Sequence, residues 1–317
     1  MLSQETTLPH DPATEGTPFD VTDLICVTPP YLALQHLRRR TAGDVSATVP
    51  VETPRGRQAA VMGIGEVGRH LAILGLCAAA SVNPREGRHA YLARTAEAEW
   101  VAPPSLTDPT GLLTGNARAQ MTGPRQAHAD TELVDSGNGQ VLARMRIGYD
   151  VLPHRLLTRL LEHENPGAGP VLPAPDAGSA YSQPLPLENF SYDQQTGAAR
   201  ADLLITPALC PGHFDGHPVL PVAIAATAMS NLVDHAIAQR HPHAHWLSGP
   251  LTLTADQFAC AGQTVTFQAR PAGTMGYHCT ARLDSRLIAS VNVKLILVDS
   301  LLLPPSTTPS TPLPQSR

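Results

Sequence analysis

Near the midpoint of the 317-residue chain, residues 166–186 form a proline- and glycine-rich stretch, and the same order of elements stands on either side of it. Proline removes a backbone donor and glycine resists ordering, so this stretch reads as a linker between two units. Before it, an alternating segment at Asp44–Val51 precedes an apolar, helix-like run from Glu66 to Ser81. Strand-like segments follow at His89–Val101, Ala117–Val134 and Gln140–Val151. In the last of these, Val141, Ala143, Met145, Ile147 and Tyr149 alternate with Leu142, Arg144 and Arg146, the period-2 pattern of a half-buried strand. After the linker come a strand at Ala198–Ile205, a helix from Val222 to about Gln239, and strands near Trp246–Leu253, Gln263–Ala269, Tyr277–Leu283 and Leu287–Val298. Leu71 to Ala80 has no polar face, and such a helix must be covered on all sides, which a sheet wrapped around it achieves. Gly43, Ala47, Thr53 and Pro54 are echoed by Gly197, Ala201, Thr206 and Pro207 at a shift of 153 to 154. The expectation is an α+β internal pseudo-dimer, with units at 19–165 and 187–300 and polar or proline-bearing tails at 1–18 and 301–317.

Composition narrows the function classes. With 42% hydrophobic and 15% charged residues the chain can bury a large core. A net charge of -5 and the lack of a polybasic run argue against a nucleic-acid partner. Arg38, Arg39 and Arg40 read as a solvated run, with contact to an acidic carrier protein or a phosphopantetheine phosphate as the alternative. Cys26, Cys77, Cys210, Cys260 and Cys279 are odd in number and lack CxxC spacing, so free buried thiols in a reducing compartment are expected, with no zinc site. The longest apolar run falls short of the roughly 20 residues of a spanning helix, and the N-terminus lacks a signal pattern, so no membrane partner is expected and the location is read as cytoplasmic.

The most informative stretch is Cys210-Pro-Gly-His213-Phe214-Asp215-Gly216-His217-Pro218-Val219-Leu220-Pro221, directly before the second helix. A histidine held in a proline- and glycine-bounded turn there can face a cleft, and the helix start offers free N–H groups to a developing oxyanion. The segment resembles the hotdog-fold 3-hydroxyacyl-[acyl-carrier-protein] dehydratases, whose motif runs His-Phe-Pro-Gly-x-Pro-Val-Met-Pro-Gly. His213, Phe214, Gly216, Pro218, Val219 and Pro221 match, whereas Asp215, Leu220 and Val222 depart. The resemblance spans about forty residues and implies a double hotdog. It implies a hydro-lyase acting on a 3-hydroxyacyl thioester of carrier protein or CoA in fatty-acid or polyketide metabolism, without cofactor or metal. His213 would be the base, and Phe214, Gly216, Pro221, Val222 and Thr227 would hold the substrate. The family places an acidic side chain fourteen positions after that histidine; here the position is Thr227, whose hydroxyl has no usable acidity near neutral pH.

The first helix supplies candidates for the missing acid. Glu66 and His70 lie four apart on one face of an apolar segment. Glu66 is read either as an acid kept protonated by desolvation or as an ordinary first-turn charge; His70 is its partner or, aligning near Thr227, its replacement. Two further readings stand beside the dehydratase: a thioester hydrolase using Glu66, and a non-catalytic acyl-binding or partner subunit. Asp215 is read as a hydrogen-bond acceptor for its histidine neighbours or as a turn stabiliser, and His217 and Asp234 as solvated. His235, His241, His243 and His245 are read as a surface cluster, not a metal site. Gly63-x-Gly65-x-x-Gly68 spells a dinucleotide fingerprint but lacks a preceding parallel strand. A pseudo-dimer in one chain fits a monomer or a homodimer.

Overall fold

A computed structural model describes residues 16–105, 109, 111–164, 180–214 and 216–299. Most of both expected tails, the linker up to residue 179 and Asp215 therefore lie outside the described residues. The first unit contains β1 (Thr17–Pro18), β2 (Gln35–Thr41), β3 (Asp44–Thr48), α1 (Ile64–Val82), β4 (His89–Trp100), β5 (Leu113–Gly123), β6 (Gln126–Asp135), β7 (Gln140–Pro153) and α2 (His154–Glu164). The second contains β8 (Glu188–Tyr192), β9 (Ala199–Leu204), α3 (Val222–Arg240), β10 (Ala244–Ala255), β11 (Thr264–Pro271), β12 (Gly276–Leu283) and β13 (Arg286–Asp299).

All thirteen strands join in one sheet of antiparallel ladders, in the order β1-β2-β3-β5-β6-β7-β4-β10-β13-β12-β11-β9-β8. The first half wraps α1 and the second wraps α3, so the fold is a double hotdog. The halves meet where β4 pairs with β10, Ala98 opposite Leu251 and Ala96 opposite Leu253, and α1 packs against α3 beneath that seam. Leu71, Ile73, Leu74, Leu76 and Cys77 of α1 are buried, as a helix without a polar face requires. At the helix crossing Gly65 meets Thr227 so closely that a Cβ would collide with its hydroxyl.

The echoed residues sit at matching places. Gly43 and Gly197 hold positive φ, +81° and +71°, in the turns before β3 and β9, and Ala47 and Ala201 follow as buried strand residues. The register then breaks. α1 starts ten positions after Pro54, but α3 starts fifteen positions after Pro207. The additional five fall in the segment that carries His213. Aligned on their helix starts, α1 and α3 match Thr227 with Arg69, one residue before His70.

Other differences have simple causes. Ala117–Val134 is not one strand but the hairpin of β5 and β6, because Pro124 sits in its turn and cannot serve an inner ladder. The pattern also passed over β2, β8 and α2. α2 buries only Leu157 and Leu161, a single i,i+4 pair, and that pair packs with Cys26, Phe214, Val219 and Cys260 beneath the His213 segment. All five cysteines are buried. Among the described residues no helix is long and apolar enough to cross a membrane.

Candidate active site

The His213 segment is fixed from both sides. Thr28 N–H donates to Gly212 O at 2.8 Å, Val27 bridges His213, and on the far side Val219 bridges Cys260 while Leu220 N–H donates to Ala259 O. Gly212 has φ +76° and lies tight against Thr28 O, where a side chain has no room. Phe214 takes φ +63°, a left-handed conformation that is strained for a bulky residue. Its buried ring lies 4.0 Å, centroid to centroid, from that of His213.

His213 Nδ1 lies 3.0 Å from the carbonyl oxygen of Val219. A carbonyl only accepts, so Nδ1 carries the hydrogen and Nε2 is the bare nitrogen. Burial pulls the imidazole pKa down to about 4, against the small opposing effect of the Val219 bond, so the ring is neutral at neutral pH. It borders a cavity of about 170 Å³ between α1, α3 and the β4–β10 seam. Phe214 and Val222 border the same cavity, together with Tyr31, Gly68, Ala72, Leu76, Ala226 and Met229, so the walls are mostly apolar. Val222 and Ala223 sit there with first-turn N–H groups that no helical carbonyl can reach. Pro221 is the N-cap of α3, and Gly216 turns the loop with φ +77°; these two shape the site without bordering the cavity.

Glu66 and His70 are not among the residues of that cavity. Glu66 borders a second, more polar cavity on the other side of the helix pair, with Arg69, Gln58, Tyr181, Thr227 and Asp234. Its carboxylate accepts from the N–H of Glu52, from Thr53 N–H at 3.3 Å and from Thr53 Oγ1, and lies 3.7 Å from His70 Nε2. Burial opposes its ionisation, but His70, Thr53 and the Glu52 N–H together hold the pKa below the usual carboxylate range. The expectation of a desolvated, protonated acid is thus corrected: Glu66 is ionised because its donors outweigh its burial. His70 is fully buried, its pKa lowered by burial against the pull of Glu66, and its Nδ1 has no partner. Glu52, Glu66 and His70 are of metal-ligand type and lie within 4.8 Å of one another, yet Arg69 pairs with Glu52, lies 3.3 Å from His70 Nε2 and supplies the balancing positive charge. Thr227 Oγ1 donates to Ala223 O at 2.9 Å within its own helix.

Asp234 is half-buried and paired rather than a free solvated charge. It accepts from Trp246 Nε1 and from Arg57 N–H at 3.3 Å, and burial raises its pKa. Gln58 makes a second cross-unit tie: Nε2 donates to Ser230 Oγ at 3.1 Å while Oε1 accepts from Ile64 N–H at 2.8 Å, capping α1. The glycine triplet opens α1 after a loop rather than a strand, as no nucleotide-binding turn does. Sequence reasoning passed over Tyr31, whose ring packs edge-on to His213 at 4.9 Å and to Tyr181 at 5.3 Å. Arg69 in turn lies over Tyr181, 4.8 Å from its ring centre.

No protein-family model matches the chain, and no curated protein matches it at the level of sequence. Solved structures do resemble it. The 12:0-ACP thioesterase from Umbellularia californica superposes with a TM-score of 0.51 at 11% identity, over 80% of this chain and 94% of that one. The tesB protein from Mycobacterium avium subs paratuberculosis gives 0.52 at 11% identity, over 84% and 98%. An acyl-ACP thioesterase from Bacteroides thetaiotaomicron gives 0.50 at 13% identity, over 80% and 97%. At such identities the likeness concerns the fold.

Proposed function

We propose that the chain is an acyl-thioester enzyme with its active centre at His213, and that its reaction is the reversible dehydration of a 3-hydroxyacyl thioester. The observation that carries this reading is the state of His213: neutral, with Nδ1–H committed to Val219 O and Nε2 unprotonated beside an apolar cavity. Nε2 takes the α-proton while Val222 and Ala223 N–H groups polarise the thioester carbonyl. Among the described residues that border the cavity the one carboxylate is the exposed Glu99, so the imidazolium just formed returns its proton to the departing hydroxyl, and water leaves with the thioester intact. The apolar walls along α1 and α3 take the acyl chain, whose burial contributes about 0.8 kcal/mol per CH₂.

One observation favours hydrolysis as a second reading. The same bare Nε2 can deprotonate water for attack on the carbonyl, which needs no separate acid for a hydroxyl leaving group, and two of the similar folds are named as acyl-carrier-protein thioesterases. The test is mass spectrometry of the acyl group after incubation with (3R)-3-hydroxyacyl and saturated acyl thioesters of carrier protein and of CoA. Loss of 18 mass units, about the mass of one water, from a still-attached 3-hydroxyacyl group supports dehydration, as base chemistry at the α-carbon requires. Release of free acid from both substrate types replaces it with hydrolysis, and no change in either overturns the enzymatic reading.

A further inference from the structure

A buried tyrosine that borders the His213 cavity has no hydrogen-bond partner for its hydroxyl. Tyr31 is 5% exposed, yet its Oη bonds to no described group. It is also absent from the fully enclosed polar atoms without partners, so the hydroxyl retains some access to open space, and Tyr31 is among the residues that line this cavity. Its neighbours behave otherwise: Tyr91, the other tyrosine of the cavity, accepts from Asn83 Nδ2 at 3.0 Å, and Tyr181 donates to Pro211 O at 2.8 Å. An unmet hydroxyl at such depth is costly unless a ligand or water completes it. The ring is locked between His213 and Tyr181, so the hydroxyl is held beside the base at fixed geometry.

We propose that Tyr31 is a further catalytic residue, donating its phenolic hydrogen to the thioester carbonyl oxygen as that oxygen gains charge. The proposal rests on the reading of His213 as the centre of acyl-thioester chemistry, and it holds for dehydration and hydrolysis alike, since both put negative charge on that oxygen. Burial raises the phenol pKa, against the pull of Arg69, so Tyr31 keeps its hydrogen and acts as a donor without giving up the proton. With the N–H groups of Val222 and Ala223 it completes a hole built from both units.

Tyr31→Phe removes one oxygen and leaves the ring contacts in place. The expected result is a fall in kcat of about a hundredfold, the usual cost of losing one oxyanion donor, with KM and thermal midpoint nearly unchanged. A kcat within twofold of the parent, or a loss of activity matched by a falling thermal midpoint, would overturn the proposal. A second measurement needs no turnover. In His213→Gln protein, the infrared carbonyl stretch of bound ¹³C-carbonyl decanoyl-CoA should lie below its value in solution, and adding Tyr31→Phe should reverse part of that shift. An identical stretch in both backgrounds overturns the role of Tyr31. Parent protein that turns nothing over while the shift still depends on Tyr31 overturns the base assignment and leaves the donor standing; no binding of decanoyl-CoA overturns both.

Discussion

The two units enter their central helices differently. In the first, the ten-residue approach to α1 is closed: Gln58 caps Ile64 N–H, Glu66 gathers Thr53 and the Glu52 N–H, and Arg69 pairs with Glu52. In the second, the longer approach to α3 lifts His213 beside an apolar cavity, Pro221 caps without a side-chain bond, and no helical carbonyl reaches the Val222 and Ala223 N–H groups. Both helix starts have the same orphan donors and the same positive end of the dipole. In α1 the first of them is met by Gln58, whereas in α3 the first two lie beside the cavity. Two copies of one fold thus settle the same helix start differently, by a polar clamp in the first and by a loop beside an apolar cavity in the second.

The largest expected effect falls on the open end. His213→Gln should lower kcat by about a hundredfold to ten-thousandfold, the range for losing a general base, with an unchanged circular dichroism spectrum. Activity also depends on pH through this ring. As the base must be neutral, kcat should hold down to acidic pH and fall only as the pH approaches the His213 value of about 4, rather than near the ordinary histidine value. Stability follows the same sign. The folded state binds fewer protons at this site than the unfolded chain, so the contribution is complete above the unfolded histidine pKa of about 6.5 and is lost as the pH falls towards about 4. Thermal melts across that window should show a flatter dependence in His213→Gln protein than in the parent.

The closed end should respond in stability and not in rate. Glu66→Gln leaves the Thr53 and Glu52 donors poorly matched and should cost about 1–3 kcal/mol in denaturant unfolding, with kcat changed less than about threefold. A large loss of kcat at unchanged stability would instead make Glu66 a reacting group and favour the hydrolase reading. Gln58→Ala removes the α1 cap and its tie to Ser230, for about 1 kcal/mol. Thr227→Ala should matter least, because the hydroxyl is bonded within its own helix and borders the second cavity.

The duplicated order of elements was legible because each unit must bury an apolar helix, and Leu71–Ala80 announces that in one dimension. The turn glycines Gly43 and Gly197 were legible for a similar reason, as their positive φ is a local demand. α2 was not, since Leu157 and Leu161 alone make too short a stripe, and β8 carries almost no buried side chain to mark it. At the site, His213 and Phe214 stood out through proline and glycine around them. Tyr31 did not, because nothing near residue 31 in the chain indicates that it meets residue 213.

What the sequence by itself determined is therefore what depends on near neighbours: the apolar helices, the alternating strands, the turns, and the loop that presents His213. The tertiary structure alone decided the partnerships. It set Gly65 against Thr227 at the helix crossing, turned Glu66 into an ionised clamp, and brought Tyr31 to His213 across the two units. The reason is physical. Ionisation, burial and donor–acceptor pairing are set by atoms within a few ångströms, and in an antiparallel sheet wrapped round two crossed helices those atoms can come from anywhere in the chain: from the loop just before α1 for Glu66, from the other unit for Tyr31 and Gln58.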